Sequence, residues 1–190
     1  MKKGYTNTTV ADLVAAAGVS REVFYEHFTD RRHAFLEALD FPTQPILDAC
    51  AAAYFSGDGW PDRVWRGLDT LITLIVSNPA ISHLRLIECY AAGPIAVRRA
   101  EDITRAFTVF LEEGYRFRAQ AERLPRLCSE SIASAIFEII QRHVARGEIA
   151  ALGRTLPQLV YVAIAPFTGP GAAMRFVDQM GARALSRPTL

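Results

Sequence analysis

The sequence predicts an all-α chain, with a small N-terminal helical unit followed by a larger helical domain. Three observations predict it. Apolar residues recur three and four apart along nearly all of the 190 residues, and strand-like alternation is hard to find. Glycine and proline punctuate the pattern at Gly18, Pro42, Pro45, Gly57, Gly93, Pro125 and Gly169. Residues suited to starting helices, namely Thr9, Ser20 and Asp30, each stand just ahead of an apolar-periodic run.

The first helix is expected over 9–16. Thr9 caps it, Asp12 is a partial capping-box partner three residues on, and Val10, Leu13 and Val14 supply its apolar face. Gly18 ends it, because glycine accepts the left-handed conformation in which helices often stop. Ser20 starts a second short helix with Val23, Phe24 and Phe28 on its inner side. Asp30 caps a third that carries Phe35, Leu36 and Leu39. Two short helices around Ala17-Gly18-Val19 fit a helix-turn-helix on length. About forty residues bury too little to stand alone, so this unit must lean on the rest.

Pro42 and Pro45 mark the boundary, giving units 1–41 and 42–190. In the second, a helix is expected from Ile46 through Leu47 and Cys50 to about Phe55. Another, after Pro61, carries Val64, Trp65, Leu68, Leu71, Ile72, Ile75 and Val76, and Ser77-Asn78-Pro79 ends it. A short helix over 80–92 follows. A single long helix is then expected over 95–120, with Ile103, Ala106, Phe107, Phe110, Leu111, Tyr115 and Phe117 as its stripe. Ile132, Ile136, Ile139, Ile140 and Val144 define the next amphipathic helix, closed near Gly147. Leu156, Leu159, Val160, Ala163, Ile164 and Phe167 define another, and a last helix is expected over 172–184 with a frayed tail from Ser186.

Composition excludes several classes. Hydrophobic residues make up 51%, too many for a disordered chain. The net charge of +1 rules out a polycation, so contact with nucleic acid would need a local surface. Cys50, Cys89 and Cys128 are too scattered for a disulfide framework or a zinc site and read as buried thiols. The basic tip at Lys2-Lys3 is followed by no apolar run, so no signal peptide is expected. The longest uninterrupted apolar candidate, 159–167, is too short to span a membrane. These features predict a cytoplasmic protein. Phosphate loop, nucleotide fingerprint, nucleophile elbow and metal-ligand spacing are absent from the sequence, which predicts neither an enzyme nor a cofactor.

Residues 8–39, TTVADLVAAAGVSREVFYEHFTDRRHAFLEAL, carry a combination of features. They are Thr8-Thr9, the Ala17-Gly18-Val19-Ser20 turn, the Phe24-Tyr25-x-His27-Phe28 block, Asp30-Arg31 and Phe35-Leu36. Together they resemble the signature of the TetR family of transcriptional regulators. The remainder is similar more weakly, in helix order and in the segment LPQLVYVAIAPFTGPG. The resemblance implies an all-α homodimeric repressor that occupies palindromic operator DNA and releases it when a small molecule enters the larger domain. It implies that Ser20 and Arg21 open the recognition helix and that Val23 meets a base edge or methyl group. It also implies that Tyr25 and His27 touch the DNA backbone, that Arg31 stands beside a phosphate, and that Thr9 caps a helix near the backbone.

The chemistry of these residue types agrees. Helix N-termini offer amide donors and partial positive charge to phosphate. Arginine can donate two hydrogen bonds to guanine, or pair with phosphate. Val23 can meet a thymine methyl or pack inward. Two departures qualify the picture. The family has a further helix ahead of this signature, and no complete helix fits in 1–8, so a late chain start is expected in preference to a headpiece lacking its first helix. The first 41 residues are also not basic. Lys2, Lys3, Arg21, Arg31 and Arg32 face Asp12, Glu22, Glu26, Asp30, Glu37 and Asp40. Affinity must then depend on geometry and dimerisation more than on bulk charge.

In the larger domain, Trp65, Phe107, Phe110 and Phe117 are candidates for an apolar ligand wall, with His83, Arg85, Glu88, Tyr90 and Tyr115 as polar anchors. The expected ligand is an uncharged or weakly charged hydrophobic or aromatic compound. For the dimer seam the candidates are Ile132, Ile136, Ile139, Ile140, Leu156, Leu159, Val160, Ala163 and Phe167, helices that build a four-helix interface in the family. Periodicity alone equally allows their burial within one subunit. The competing reading of the whole chain is a helical ligand-binding or protein-interaction module without DNA activity.

Overall fold

In the computed structural model, which describes residues 3–185, every regular element among the described residues is helical. N-terminal helices form a compact helix-turn-helix-like region, and a larger all-helical domain follows. A single turn, α1 (Gly4–Asn7), comes first, where no complete helix fits. Then come α2 (Val10–Ala17), α3 (Arg21–His27) and α4 (Arg31–Asp40). Their starts are set by side-chain caps. Thr9 and Asp12 form a full capping box, Ser20 Oγ accepts from Val23 N at 3.2 Å, and Asp30 Oδ1 accepts from His33 N at 2.8 Å. Gly18 ends α2 with φ of +69°, a conformation that a Cβ would strain.

The larger domain begins with α5 (Thr43–Phe55) and α6 (Trp60–Ser77). α5 starts before Pro45, not after it, because a proline in the first turn forfeits no intrahelical hydrogen bond. The helix expected over 80–92 is three pieces: α7 (Pro79–His83), a π-helical turn (Leu84–Glu88) and α8 (Cys89–Ala91). The single long helix expected over 95–120 is also broken. It becomes α9 (Pro94–Ala106), α10 (Val109–Glu112) and tighter turns at Glu113–Arg116 and Ala121–Arg123. The cause is Trp60. Its Nε1 donates to the Phe110 carbonyl at 3.1 Å, and a Cβ on Gly114 would stand 2.5 Å from its ring. The chain bends around the indole and cannot stay straight. α11 (Leu127–Ala145), α12 (Leu152–Thr168) and α13 (Pro170–Leu185) complete the domain. The tail expected to fray lies outside the described residues.

α12 occupies the middle, packed by α6, α11 and α13. Its Leu152, Leu159, Val160, Ala163, Ile164 and Phe167 have no exposed surface. With the turn ahead of it, this helix runs 20 residues, Ile149–Thr168, at a mean hydropathy of 1.2, long and apolar enough by composition to cross a membrane. The sequence expectation measured only the uninterrupted apolar run 159–167, and the helix expected from Leu156 in fact begins at Leu152 with a turn ahead of it from Ile149. Its buried side chains here serve the core.

A second, smaller cluster joins the first four helices to the body. Phe35, Leu36 and Leu39 of α4 pack with Cys89, Ala92 and Ala96 at α8 and α9, and Tyr5 seals the edge with its ring 4.7 Å from Phe35. Polar contacts run alongside. Glu88 accepts from Tyr5 N at 2.6 Å, and Arg99 pairs with Asp40 and donates to the Leu36 carbonyl at 3.3 Å.

Candidate nucleic-acid interface and ligand cleft

Ser20 opens α3, and the helix turns one residue inward. Phe24 is 6% exposed, its ring 5.3 Å from that of Phe28, which is half-buried. The other side chains of α3 face outward. Val23 is 39% exposed and Tyr25 56%, and Arg21, Glu22, Glu26 and His27 are exposed as well. Arg21, Val23, Tyr25 and His27 therefore share one short outward rod with two acids. Phe24 and Tyr25 rings meet edge-on at 5.3 Å, which steadies the tyrosine while its hydroxyl end stays open.

Thr9 and Arg31 are placed differently. Thr9 Oγ1 accepts from Asp12 N at 3.2 Å, and Thr9 N donates to Asp12 Oδ2 at 2.9 Å. Lys3 Nζ lies 2.7 Å from Asp12 Oδ1. The Lys3 hydrogen bond, then those from Thr9, hold the Asp12 carboxyl well below the usual carboxylate range. Thr9 is thus exposed but engaged in its own cap. Arg31 Nη1 donates to the carbonyls of Tyr5, Thr6 and Thr8 at 3.0, 3.2 and 2.5 Å, and its guanidinium carbon sits 4.4 Å from the Tyr5 ring centre. It closes the C-terminal end of α1, where a helix leaves carbonyls unsatisfied. Sequence pattern gave no sign of this bond because its partners are backbone atoms more than twenty residues earlier. Arg32 and Val19, exposed beside the same surface, were not singled out.

Of the ligand-wall candidates, the structure brings Phe107 and Phe110 together at one apolar cleft with Tyr54, Leu68, Leu71 and Phe137. Phe107 and Phe137 also border a roomier cleft of about 210 Å³ between α5, α6, the π-helical turn, α9 and α11. Ile46, Leu74 and Ile75 line it, and Arg85 is its one charged side chain. The remaining candidates stand elsewhere. Trp65 is buried against Phe176. Tyr115 is buried against Phe167, with its hydroxyl donating to the Pro125 carbonyl at 2.9 Å. His83 pairs with Glu88 at 3.6 Å, and Glu88 in turn holds Tyr5 N. Phe117 lies against Trp60, and Tyr90 borders two other hollows, of about 100 and 340 Å³, between α8, α9 and α11. Sequence reading missed Phe137 as a liner. Its signal was its position one residue off the isoleucine stripe of α11, facing the neighbouring helices.

The seam candidates Ile132, Ile136, Ile140, Leu156, Leu159, Val160, Ala163 and Phe167 are buried in the subunit's own core, and Ile139 is half-buried. Burial within one subunit is the role that the structure gives them. The outward faces of α12 and α13 carry Val162 and Met174, both exposed, with Tyr161, Ala165 and Phe176 half-buried nearby.

A capped two-helix unit with an exposed outer face, docked on a helical body with apolar clefts, has the form of a helix-turn-helix headpiece on a larger helical domain. Residues 1–38 match the model of a family described as bacterial regulatory proteins, tetR family. Neither the curated proteins nor the solved structures include a match to this chain. The matched family is one of regulators, not enzymes. Among the described residues, no three His, Cys, Asp or Glu side chains gather where they could hold a metal ion.

Proposed function

We propose that this chain is a TetR-like transcriptional repressor. In this reading, residues 1–41 bind a palindromic operator as one half of a homodimer, and residues 42–190 bind a small hydrophobic ligand that releases the DNA. The observation that carries it is the outward face of α3, where Arg21, Val23, Tyr25 and His27 stand exposed over an inward-turned Phe24. A rod of this width fits the major groove, where base edges carry a full donor and acceptor code. Arg21 and Val23 sit in the first turn and read bases. Tyr25 and His27 brace the backbone, where contacts position without specifying. Ser20 and Thr9 serve the interface by fixing where α3 and α2 begin. Arg31 supports it from behind by anchoring α1.

Two headpieces are needed, since one covers a short site weakly, and a two-fold pair reads a two-fold sequence. The surface offered for that pairing is the outward side of α12 and α13 around Val162 and Met174, because the inward sides are committed to the core. The cytoplasm is the compartment such a regulator requires.

The test is selection of bound duplexes from a random pool with the purified chain, followed by sequencing. An enriched site with two-fold symmetry is expected. A pool that stays unenriched through successive rounds would sink the proposal.

A further inference from the structure

Arg85 stands at the wall between two clefts. It borders the 210 Å³ apolar cleft on one side and a hollow of about 100 Å³ against α8 and α9 on the other. It lies within the π-helical turn, a distortion that recurs at functional positions because it reorients side chains out of the regular spiral. Its Nη1 donates to the Leu39 carbonyl and, at 3.0 Å, to Thr43 Oγ1. Nε and Nη2 make no hydrogen bond within the described residues. No buried side-chain nitrogen or oxygen there lacks a partner, so these two donors are not sealed from solvent, and the residue itself lines both clefts. Two acids nearby are committed, and the exposed Glu101 lines the smaller hollow but not the 210 Å³ cleft. Asp40 pairs with Arg99, and Glu88 with His83 and Tyr5 N. The other polar liners of the 210 Å³ cleft are uncharged, and each donates to a backbone carbonyl. Ser82 Oγ donates to the Ile75 carbonyl at 3.0 Å, and Asn78 Nδ2 to the Leu74 carbonyl at 3.0 Å.

The site is thus an apolar cleft with one charged anchor, a guanidinium that no carboxylate pairs with among the described residues. Burial is the chief influence on Arg85 and disfavours its charge, with the Asp40 field opposing it. A countercharge brought by a ligand would relieve that cost and gain two charge-assisted hydrogen bonds. A neutral ligand of equal shape would gain neither.

We propose that the cleft binds a hydrophobic monocarboxylate, an alkanoic or arylalkanoic acid, with the carboxylate on Arg85 Nε and Nη2 and the chain among Ile46, Leu74, Phe107 and Phe137. This rests on the reading of the chain as a ligand-released DNA-binding protein, and it narrows the uncharged or weakly charged effector expected from sequence to an acid. The same guanidinium clasps the last turn of α4 at Leu39 and the first residue of α5 at Thr43. A carboxylate that draws Arg85 toward the cleft competes with that clasp, so occupancy is felt at the joint between headpiece and body. A ligand shifts such an equilibrium only by its differential affinity for the two states, and the shared guanidinium supplies the difference.

The experiment is titration calorimetry on the full chain with decanoate and 4-phenylbutyrate, each against its carboxamide. At least one acid is expected to bind ten-fold or more tightly than its amide. R85Q is expected to bring that ratio near one, and R85K to retain part of it. L74W, which fills the cleft and leaves Arg85 in place, is expected to abolish binding of both. Equal affinity of acid and amide for the native chain, or an acid preference that survives in R85Q, overturns the proposal. Failure of both acids to bind overturns it too. Should R85Q not fold, the acid-to-amide ratio in R85K and the native chain decides. The DNA reading is separable. An Arg85-dependent acid preference in a chain that selects no DNA supports the ligand site and removes the repressor.

Discussion

Arg31 is placed by family signature at a phosphate, yet its guanidinium is committed to three carbonyls at the end of a four-residue helix. Hydrogen bonds from a charged group are worth roughly 1.5–3 kcal/mol each when well formed and less where water competes. We therefore expect Arg31→Met to cost about 1–2 kcal/mol and to loosen α1 first, read by urea unfolding and by amide exchange at Tyr5 and Thr8. An unchanged midpoint would return Arg31 to the DNA face. On that face, Tyr25→Phe removes a hydroxyl that we assign to phosphate and should weaken binding to strong and weak sites alike. Arg21→Ala should change which sites are preferred, and equal loss on every site would assign Arg21 to the backbone instead. The thiols give a check that needs no DNA. Burial pushes Cys50 up to about 11, and it also raises Cys89 and Cys128. A raised thiol pKa favours the protonated folded form, so this contribution is whole at neutral pH and fades as pH climbs through the folded value. Native Cys50 and Cys89 should resist alkylation at pH 8 by orders of magnitude relative to unfolded chain, with half-buried Cys128 the first to react.

Helix starts were legible because caps are local. Thr9, Ser20 and Asp30 each bond a backbone amide three residues on, and a spacing of three can be read off a sequence. Helix continuity was less legible because what breaks a helix is often distant. Nothing within residues 95–120 announces that Trp60, fifty residues earlier, takes the Phe110 carbonyl and leaves no room beside Gly114. The same limit hid the roles of the α11 and α12 stripes. An apolar face shows that something covers it and is silent about whether the cover is another helix or another copy. For the candidate site, the outward positions of α3 followed from the inward ones, whereas Arg31 and Arg85 depend on carbonyls whose positions only the fold supplies. The Gly114 contact can be tested by adding one methyl group. Gly114→Ala forces that Cβ against the indole, and overpacking of this kind typically costs about 1–3 kcal/mol. A thermal midpoint lowered by several degrees, with a red-shifted tryptophan emission, is the expected outcome. An unshifted midpoint would mean that the turn yields freely and that the bend has another cause.

At the scale of the whole molecule, charge sets how binding should respond to salt. The net charge is +1, and the first 41 residues carry more acids than bases. Two of those bases are engaged within the chain, Lys3 with Asp12 and Arg31 with backbone carbonyls. Arg21 and Arg32 remain exposed in each headpiece. Each neutralised phosphate contributes roughly 0.9 to the slope of log affinity against log salt, so a dimer using these four arginines should show a slope of about −4 or shallower. A strongly basic binder would be far steeper. The outward acids Glu22 and Glu26 on α3 flatten the response further by repelling nearby phosphates. In the proposed function, specific affinity then comes from base contacts and from doubling, so that reading requires the dimer. Light scattering across a concentration series should show twice 21.0 kDa at micromolar concentration. Val162→Glu, on the outward face of α12, should shift the population to monomer without unfolding it, and operator affinity should fall with it by at least a hundred-fold. If V162E remains dimeric, the seam lies on another face. If it becomes monomeric and still binds the selected site at full strength, two-fold recognition is wrong and each headpiece acts alone.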